Sequence, residues 1–531
     1  MALHEVRHRL RSPFDLHITC NSKHRSCGYG TLSLPVRAFL VVGLLLALEA
    51  CGGRAMQPPA TPYASRAPDA SSAGADWTQF AYDEQRDAYN AAETTLSPST
   101  VPGLTQKWAA HVDSAIYAQP LLLHALSVGG TTRSVLYVTS FYHLSAIDAN
   151  ASSGTSTNVL WSRALPSTYT SCAGATVHNG AWATPYLDKA RGRLYLVDGA
   201  RNLDAFNIVT GSQVYSTPVV SFDNGGVDGA LSLDAATAHL YVTTAMRCGY
   251  ENTSSPIRGS VVSYDPASGA RLSTFTTVTA TGYYGGSLWG MGGVSIDPAT
   301  HGVYGASGNS WPTNTTYGEH INYAESIIAL SSASHLLASN YPGVGQPDHD
   351  FGATPTLFQP AGCAPMAALS NKDGELLIYD RAKISAGPIA RIAMANPYPG
   401  DFINAPAFDP LTQMLYETSS TDSPVSATYN HGLSAFAFSG CKPHLVFNVA
   451  EGTVAPTGAH APDDPYSSPT VANGVVYFGA GTTNVVYAND ARTGRLLWHS
   501  PALSADAEIS PMVVNGRLYV VAGGSVYAYG L

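Results

Sequence analysis

Residues 468–498 read SPTVANGVVYFGAGTTNVVYANDARTGRLLW. Ser468-Pro469 opens a short apolar run, ANG turns it, and Val476-Tyr477 begins a second. A third run, VVYAND, breaks at the turn ARTG, and a fourth ends in Leu496-Leu497-Trp498. Strand-sized apolar runs separated by Gly, Asn and Asp turns make an up-and-down unit of four strands. Pro fits the first position of such a unit, where its missing N–H costs nothing.

The same unit recurs along the chain. Its Leu-Tyr or Val-Tyr pair is found at 136–137, 194–195, 240–241, 303–304, 415–416, 476–477 and 518–519. A run ending in Asp or Asn and a Gly turn follows it, as in LDAFNIVTG, VVSYDPASG and VVYANDARTG, and then a strand carrying Trp161, Tyr215 or Trp498. Small or Pro openings stand at Gln119-Pro120, Thr184-Pro185, Gly229-Ala230, Gly290-Met291, Thr354-Pro355, Ala405-Pro406, Ser468-Pro469 and Ser510-Pro511. Their spacing runs from 42 residues (468 to 510) to 65 (119 to 184). Units of this size hold four strands but cannot bury both faces alone, so they must stack around an axis. The expected fold is all-β: an eight-bladed β-propeller of four-stranded antiparallel blades, with seven blades as the alternative. The last unit stops after three strands, and Leu104–Trp108 near the other end reads as the missing fourth. Pairing the two chain ends closes the ring and leaves no open edge.

Composition agrees with this architecture. Charged residues make up only 12% of the 531, with 50 Gly and 34 Pro, whereas helical proteins place Glu, Lys and Arg on their exposed faces. The net charge of −10 and the absence of basic runs exclude nucleic acid as the expected partner.

The first fifty residues read as a leader. Ala38–Leu48 is apolar, follows Arg37, and ends shortly before Cys51-Gly52-Gly53. Eleven residues are too few to span a bilayer and suit a secretory signal. Cys51 after such a run resembles the lipidation site of bacterial lipoproteins, although Glu49 departs from that motif. Residues 51–76 are rich in Pro and small residues and read as a tether, and 77–531 as one propeller domain. The expected location is the bacterial cell envelope, periplasm or outer membrane surface, reached by export and held by a lipid on Cys51, with a plain signal peptide or short anchor and an incidental Cys51 as the alternative. Removing residues 1–50 leaves 21 Lys plus Arg against 34 Asp plus Glu, a charge of −13.

The segment WTQFAYDEQRDAYNAAETTLSPSTVPGLTQKW, the G-x-L-Y-V strands and the D-x-x-T-G-x-L-x-W strand ends resemble pyrroloquinoline-quinone-type (quinoprotein-like) propeller repeats over residues 76–531. That family includes calcium- and quinone-dependent dehydrogenases as well as exported scaffolds without a cofactor. In the dehydrogenases the quinone lies between a Trp and a disulfide of adjacent cysteines, with calcium held by Glu, Asn and Asp and a further Asp as base. This chain has no adjacent cysteines and no C-x-x-C-H for haem. Trp182, Asn404, Asp228 and Asp350 are chemically suitable, but no motif places them, so no catalytic residue and no metal ligand is assigned.

Loops after strands two and four share one face and include the long ones, such as MRCGYENTSSPIRG and GTVAPTGAHAPDDPYSS, so binding residues are expected there. The channel rim there should present His178, Trp182, Asp228, Trp289, Asp350, Asn404 and Glu508, with Tyr283, Tyr284, Trp311, Asp348 and Asp464 beside them. Aromatic rings beside carboxylates suit a glycan, a small planar molecule or a peptide. The expected protein is thus a monomeric, non-catalytic scaffold or binding module whose partner is a protein, glycan or small molecule. The alternative is a quinone- and calcium-dependent alcohol or sugar dehydrogenase. Four cysteines remain in the mature propeller and permit three pairings; the strand geometry favours Cys172 with Cys248 and Cys363 with Cys441 in an oxidising compartment, with free thiols as the alternative.

Overall fold

A computed structural model describes residues 74–531, apart from 113–114, 152–157, 173–174, 220–224, 248–256, 314–319, 346–348, 398–401 and 455–465. The leader, Cys51, nearly all of the tether, Cys248, Asp348 and Asp464 lie outside the described residues, as does the side chain of Cys172. The rest belongs to one compact unit, Ala60–Leu531.

Eight four-stranded antiparallel blades form the ring. Their innermost strands are Leu121–Val128, Tyr186–Asp188, Ser232–Asp234, Ser295–Ile296, Thr356–Phe358, Ala407–Asp409, Thr470–Ala472 and Met512–Val514, here blades 1 to 8. Each follows one of the eight small or Pro openings, and the seven-bladed alternative falls. Blade 8 takes its outermost strand, Thr105–His111, from the other end of the chain. Thr105 lies opposite Gly530 and His111 opposite Ser525.

The repeated residues recur together because they are two halves of one contact between blades. In blades 1, 2, 3 and 6 the Tyr of the second strand donates its hydroxyl to a carbonyl in the turn between strands three and four of the next blade. Tyr137 reaches Ile208 O at 2.8 Å, Tyr195 reaches Pro266 O at 3.0 Å, Tyr241 reaches Ser332 O at 2.7 Å and Tyr416 reaches Ala491 O at 2.8 Å. The turn is preformed by its Asp or Asn: Asp490 Oδ1 accepts the N–H groups of Arg492 and Thr493, each at 3.0 Å. Its glycine has positive φ and also leaves room for the fourth-strand ring of the preceding blade. A Cβ on Gly211 (φ 66°) would meet Trp161 at 2.6 Å, and one on Gly269 (φ 73°) would meet Tyr215 at 2.7 Å. Tyr477 of blade 7 has no such acceptor, and its buried hydroxyl lacks a partner. Blade 8 has no turn at that place, since its fourth strand comes from the far end of the chain.

Nearer the axis, Ser232, Thr356 and Thr470 donate to Val294 O, Pro406 O and Pro511 O in the next blade at 2.7, 2.6 and 2.7 Å, and Ser295 donates to Pro355 O. The axis itself is filled by Trp77–Asn90, which bonds to the inner strand of every blade. Leu122 exchanges two backbone bonds with Trp77. Leu187, Ile296, Leu357, Phe408 and Val471 donate their N–H groups to the carbonyls of Thr78, Glu84, Gln85, Asp87 and Ala88 at 2.6–2.9 Å. Arg86 reaches Leu231 O at 3.1 Å in blade 3, and Asn90 Nδ2 reaches Val513 O at 2.7 Å in blade 8. Curling this tightly puts Ala81, Tyr82, Arg86 and Ala88 at positive φ, which costs about 1–2 kcal/mol per residue. Only a segment held from all sides keeps that shape.

This segment makes stability depend on pH. Burial, reinforced by Glu84, pushes the Asp83 carboxyl up to about 7, and burial with Asp83 beside it pushes Asp87 well above the usual range. The folded protein therefore keeps protons that the unfolded chain releases from about pH 4. The part of this that comes from Asp83 lowers stability as pH climbs from about 4 toward about 7 and is complete above. Asp83→Asn should raise the urea midpoint at about pH 8 and leave it unchanged near pH 4. An unchanged midpoint at the higher pH would contradict this account.

Candidate binding site at the channel mouth

The mouth lies where the long loops feed the inner strands, on the opposite side of the bonded residues from the short turns. In blade 2, Trp182 stacks on Tyr117 with ring centres 4.0 Å apart and planes at 22°. Arg247, from the loop after the second strand of blade 3, places its guanidinium carbon 5.0 Å from the Trp182 ring centre. Its Nη1 lies 2.7 Å from Asp228 Oδ1. In blade 4, Trp289 Nε1 donates to Asp350 Oδ2 at 3.1 Å, and the Asn309 N–H donates to the same oxygen at 3.2 Å. Lys372 Nζ lies 3.1 Å from Asp350 Oδ1 and 4.9 Å from the Trp289 ring centre. Cation–π contacts add to both ion pairs. The glycines around Trp289 give the close approach expected of crowded inner strands: a Cβ on Gly352 would meet its ring.

His178 lies outside this core. Its ring is parallel to the exposed Tyr169 ring at 4.1 Å and 5°, and its Nδ1 lies 2.6 Å from the Tyr142 hydroxyl. Phe141, whose ring centre is 5.5 Å from His178 and 5.4 Å from Trp182, joins this stack to the mouth. Tyr284 and Trp311 stack across an antiparallel pair of short strands, Tyr283–Gly285 and Ser310–Pro312, with ring centres 6.0 Å apart. Glu508 stands near Tyr117, whose hydroxyl pKa is raised by burial and then by that carboxylate. Asn404 is spent on structure, donating from Nδ2 to Thr418 O at 3.1 Å and Oγ1 at 2.8 Å. The mouth therefore gathers Trp182, Asp228, Trp289 and Asp350. The cations beside them, Arg247 and Lys372, carry no motif and escape a reading of the sequence.

The Cys363–Cys441 bridge is formed, with Cα atoms 5.5 Å apart. Disulfides persist in oxidising compartments and point to an extracytoplasmic protein. The Cys172–Cys248 pairing falls outside the described residues.

The residues at the mouth do not fit a quinone with calcium. Each aspartate already carries a protein cation, each of those cations lies against a tryptophan ring, and no adjacent cysteines stand opposite either ring. Calcium takes six to eight oxygen ligands, and no group of three His, Cys, Asp or Glu able to hold a metal occurs among the described residues.

Residues 448–530 match a family model described as outer membrane protein assembly factor BamB. No curated protein matches the chain. Among solved structures, the quinohemoprotein alcohol dehydrogenase from Comamonas testosteroni is 15% identical, with 86% of this chain and 80% of that one covered at a TM-score of 0.63. A europium-containing methanol dehydrogenase is 15% identical, with 86% and 98% covered at 0.64. BamB from Moraxella catarrhalis is 14% identical, with 81% and 100% covered at 0.50. Likenesses at this identity establish the propeller fold and leave the chemistry to the chain's own residues.

Proposed function

We propose that the protein is an exported, non-catalytic β-propeller that binds a protein, glycan or small molecule at its long-loop mouth, held at the cell envelope through a lipid on Cys51. The carrying observation is the internal neutralisation of Asp228 by Arg247 and of Asp350 by Lys372, each cation resting on a tryptophan. Carboxylates held in this way are poor metal ligands and poor bases, because each would first have to give up a charge partner. The filled axis supports the same reading: a ligand has one face from which to approach.

A quinone-dependent dehydrogenase is the second reading, favoured by one feature. Trp289 and Asp350 adjoin, and two N–H donors orient the carboxylate. Adding pyrroloquinoline quinone and calcium to the purified protein separates the two. The expected result is no bound-quinone absorbance and no alcohol- or sugar-dependent dye reduction. Stoichiometric quinone uptake with dye reduction would overturn the binding-module reading.

A further inference from the structure

The two ion pairs at the mouth repeat one design. Trp182 stands five residues before Leu187 in blade 2, and Asp228 five before Leu233 in blade 3. Trp289 stands seven before Ile296 in blade 4, and Asp350 seven before Leu357 in blade 5. In both cases the cation comes from directly after the second strand of the aspartate's own blade: Arg247 follows His239–Met246 and Lys372 follows Met366–Asn371. The two units adjoin, since a Cβ on Gly229 would lie 3.0 Å from Gly290 O, and one on Gly290 would lie 2.8 Å from the carbonyl carbon of Ala353. Blades 2 to 5 thus present Trp, Asp, Trp and Asp in order around the mouth, with a cation on each Asp.

We propose that Arg247 and Lys372 are built-in counter-ions that take the charge position of a divalent cation on Asp228 and Asp350, so that the mouth is assembled without metal. A divalent ion arriving at either aspartate meets a positive charge within 3.1 Å of the carboxylate and must shed its own water to displace it. The displaced guanidinium or ammonium would also lose its tryptophan face. One carboxylate cannot repay both losses. Trp289 Nε1 and the Asn309 N–H, which point donors rather than oxygens at Asp350, further disfavour a metal there. This inference extends the reading of a quinone-free mouth but concerns metal alone, so a titration without quinone tests it separately.

Terbium(III) is a suitable probe, being a calcium mimic whose emission is excited through nearby indoles such as Trp182 and Trp289. Titrated into the wild-type protein, it should give no saturable indole-excited emission. The double variant Arg247→Gln with Lys372→Gln should gain that emission, with binding at least about tenfold tighter than wild type, and lose it when Asp228→Asn and Asp350→Asn are added. Saturable emission from the wild type that vanishes with the two Asp→Asn changes would overturn the proposal. So would a folded double variant that binds no better than wild type. Circular dichroism identifies a misfolded variant. In that case the single variants Arg247→Gln and Lys372→Gln are read instead, and the wild-type titration decides without any substitution.

Discussion

Replacing Arg86 with methionine should cost about 3–5 kcal/mol of folding stability, as expected when one partner of a buried charge cluster is removed. Arg86 is fully buried on the axis of the ring. Its Nη1 donates to Gln79 Oε1 at 3.1 Å and Phe80 O at 2.7 Å, and its Nη2 to Leu231 O at 3.1 Å and to Ser232 Oγ. Burial lowers its pKa to about 10, which leaves it charged at neutral pH, and the carboxylates of Asp83 and Glu84 hold that charge. Methionine fills much of the volume and makes none of these bonds. The acceptors at Phe80 and Leu231 are then buried without a donor, and the carboxyls of Asp83, Glu84 and Asp87 face one another with no cation among them. They can escape by taking up protons, so the loss should be smaller at about pH 5 than at about pH 8. Adding Asp83→Asn to Arg86→Met should return part of the stability at the higher pH. Urea unfolding of the four proteins at both pH values checks all of this. A loss under about 1 kcal/mol, the range of an exposed ion pair, would mean that the segment is not the hub of the ring.

How much of this was legible in the sequence depends on whether a contact leaves a repeated side chain behind. Tyr137, Tyr195, Tyr241 and Tyr416 recur with the turns that accept their hydroxyls, so the blades can be counted from spelling alone. The fourth strand at Thr105–His111 is legible because Trp108 matches Trp498 in its unit. The path of Trp77–Asn90 is not, because its links to the blades are mostly backbone N–H and C=O groups, which every residue owns. Arg86 finds one of its side-chain partners, Ser232, in blade 3, 146 residues away.

The mouth divides along the same line. Trp182, Asp228, Trp289 and Asp350 are found by asking which loops converge on one face. Asn404 is found by the same question and serves another end, since a buried amide near Thr418 is worth more as a bond to that strand than as a free donor at the rim. Arg247 and Lys372 lie after second strands, where a lone basic residue ordinarily reads as solvated surface. Only the loop of the neighbouring blade reveals the tryptophan beneath each.

Breaking the Cys363–Cys441 bridge should cost about 2–4 kcal/mol. Cys363 lies between the first and second strands of blade 5, and Cys441 between the third and fourth strands of blade 6, so the bond fastens neighbouring blades across a sequence separation of 78. Closing a loop of that length removes more than 4 kcal/mol of chain entropy from the unfolded state, by an estimate of about 4.5 kcal/mol, of which strain and residual structure usually return a part. The two cysteines also pack against a buried cluster that contains Phe358 and Phe408, so apolar contact is lost along with the bond. The two single substitutions should differ. Cys441 follows Gly440 in a two-residue hairpin between Gly432–Ser439 and Lys442–Val449, and both turn residues have positive φ, 56° and 62°. Turns of this hand favour glycine. Cys441→Gly therefore loses the bridge but relieves a left-handed backbone, and should be less damaging than Cys363→Ser by about 1 kcal/mol. Reducing agent should lower the unfolding midpoint of the wild type and leave both variants where they are. A wild-type midpoint indifferent to reduction would show that the bridge does not form in solution. Equal losses in the two variants would place the energy in the unfolded chain alone and none of it in the turn.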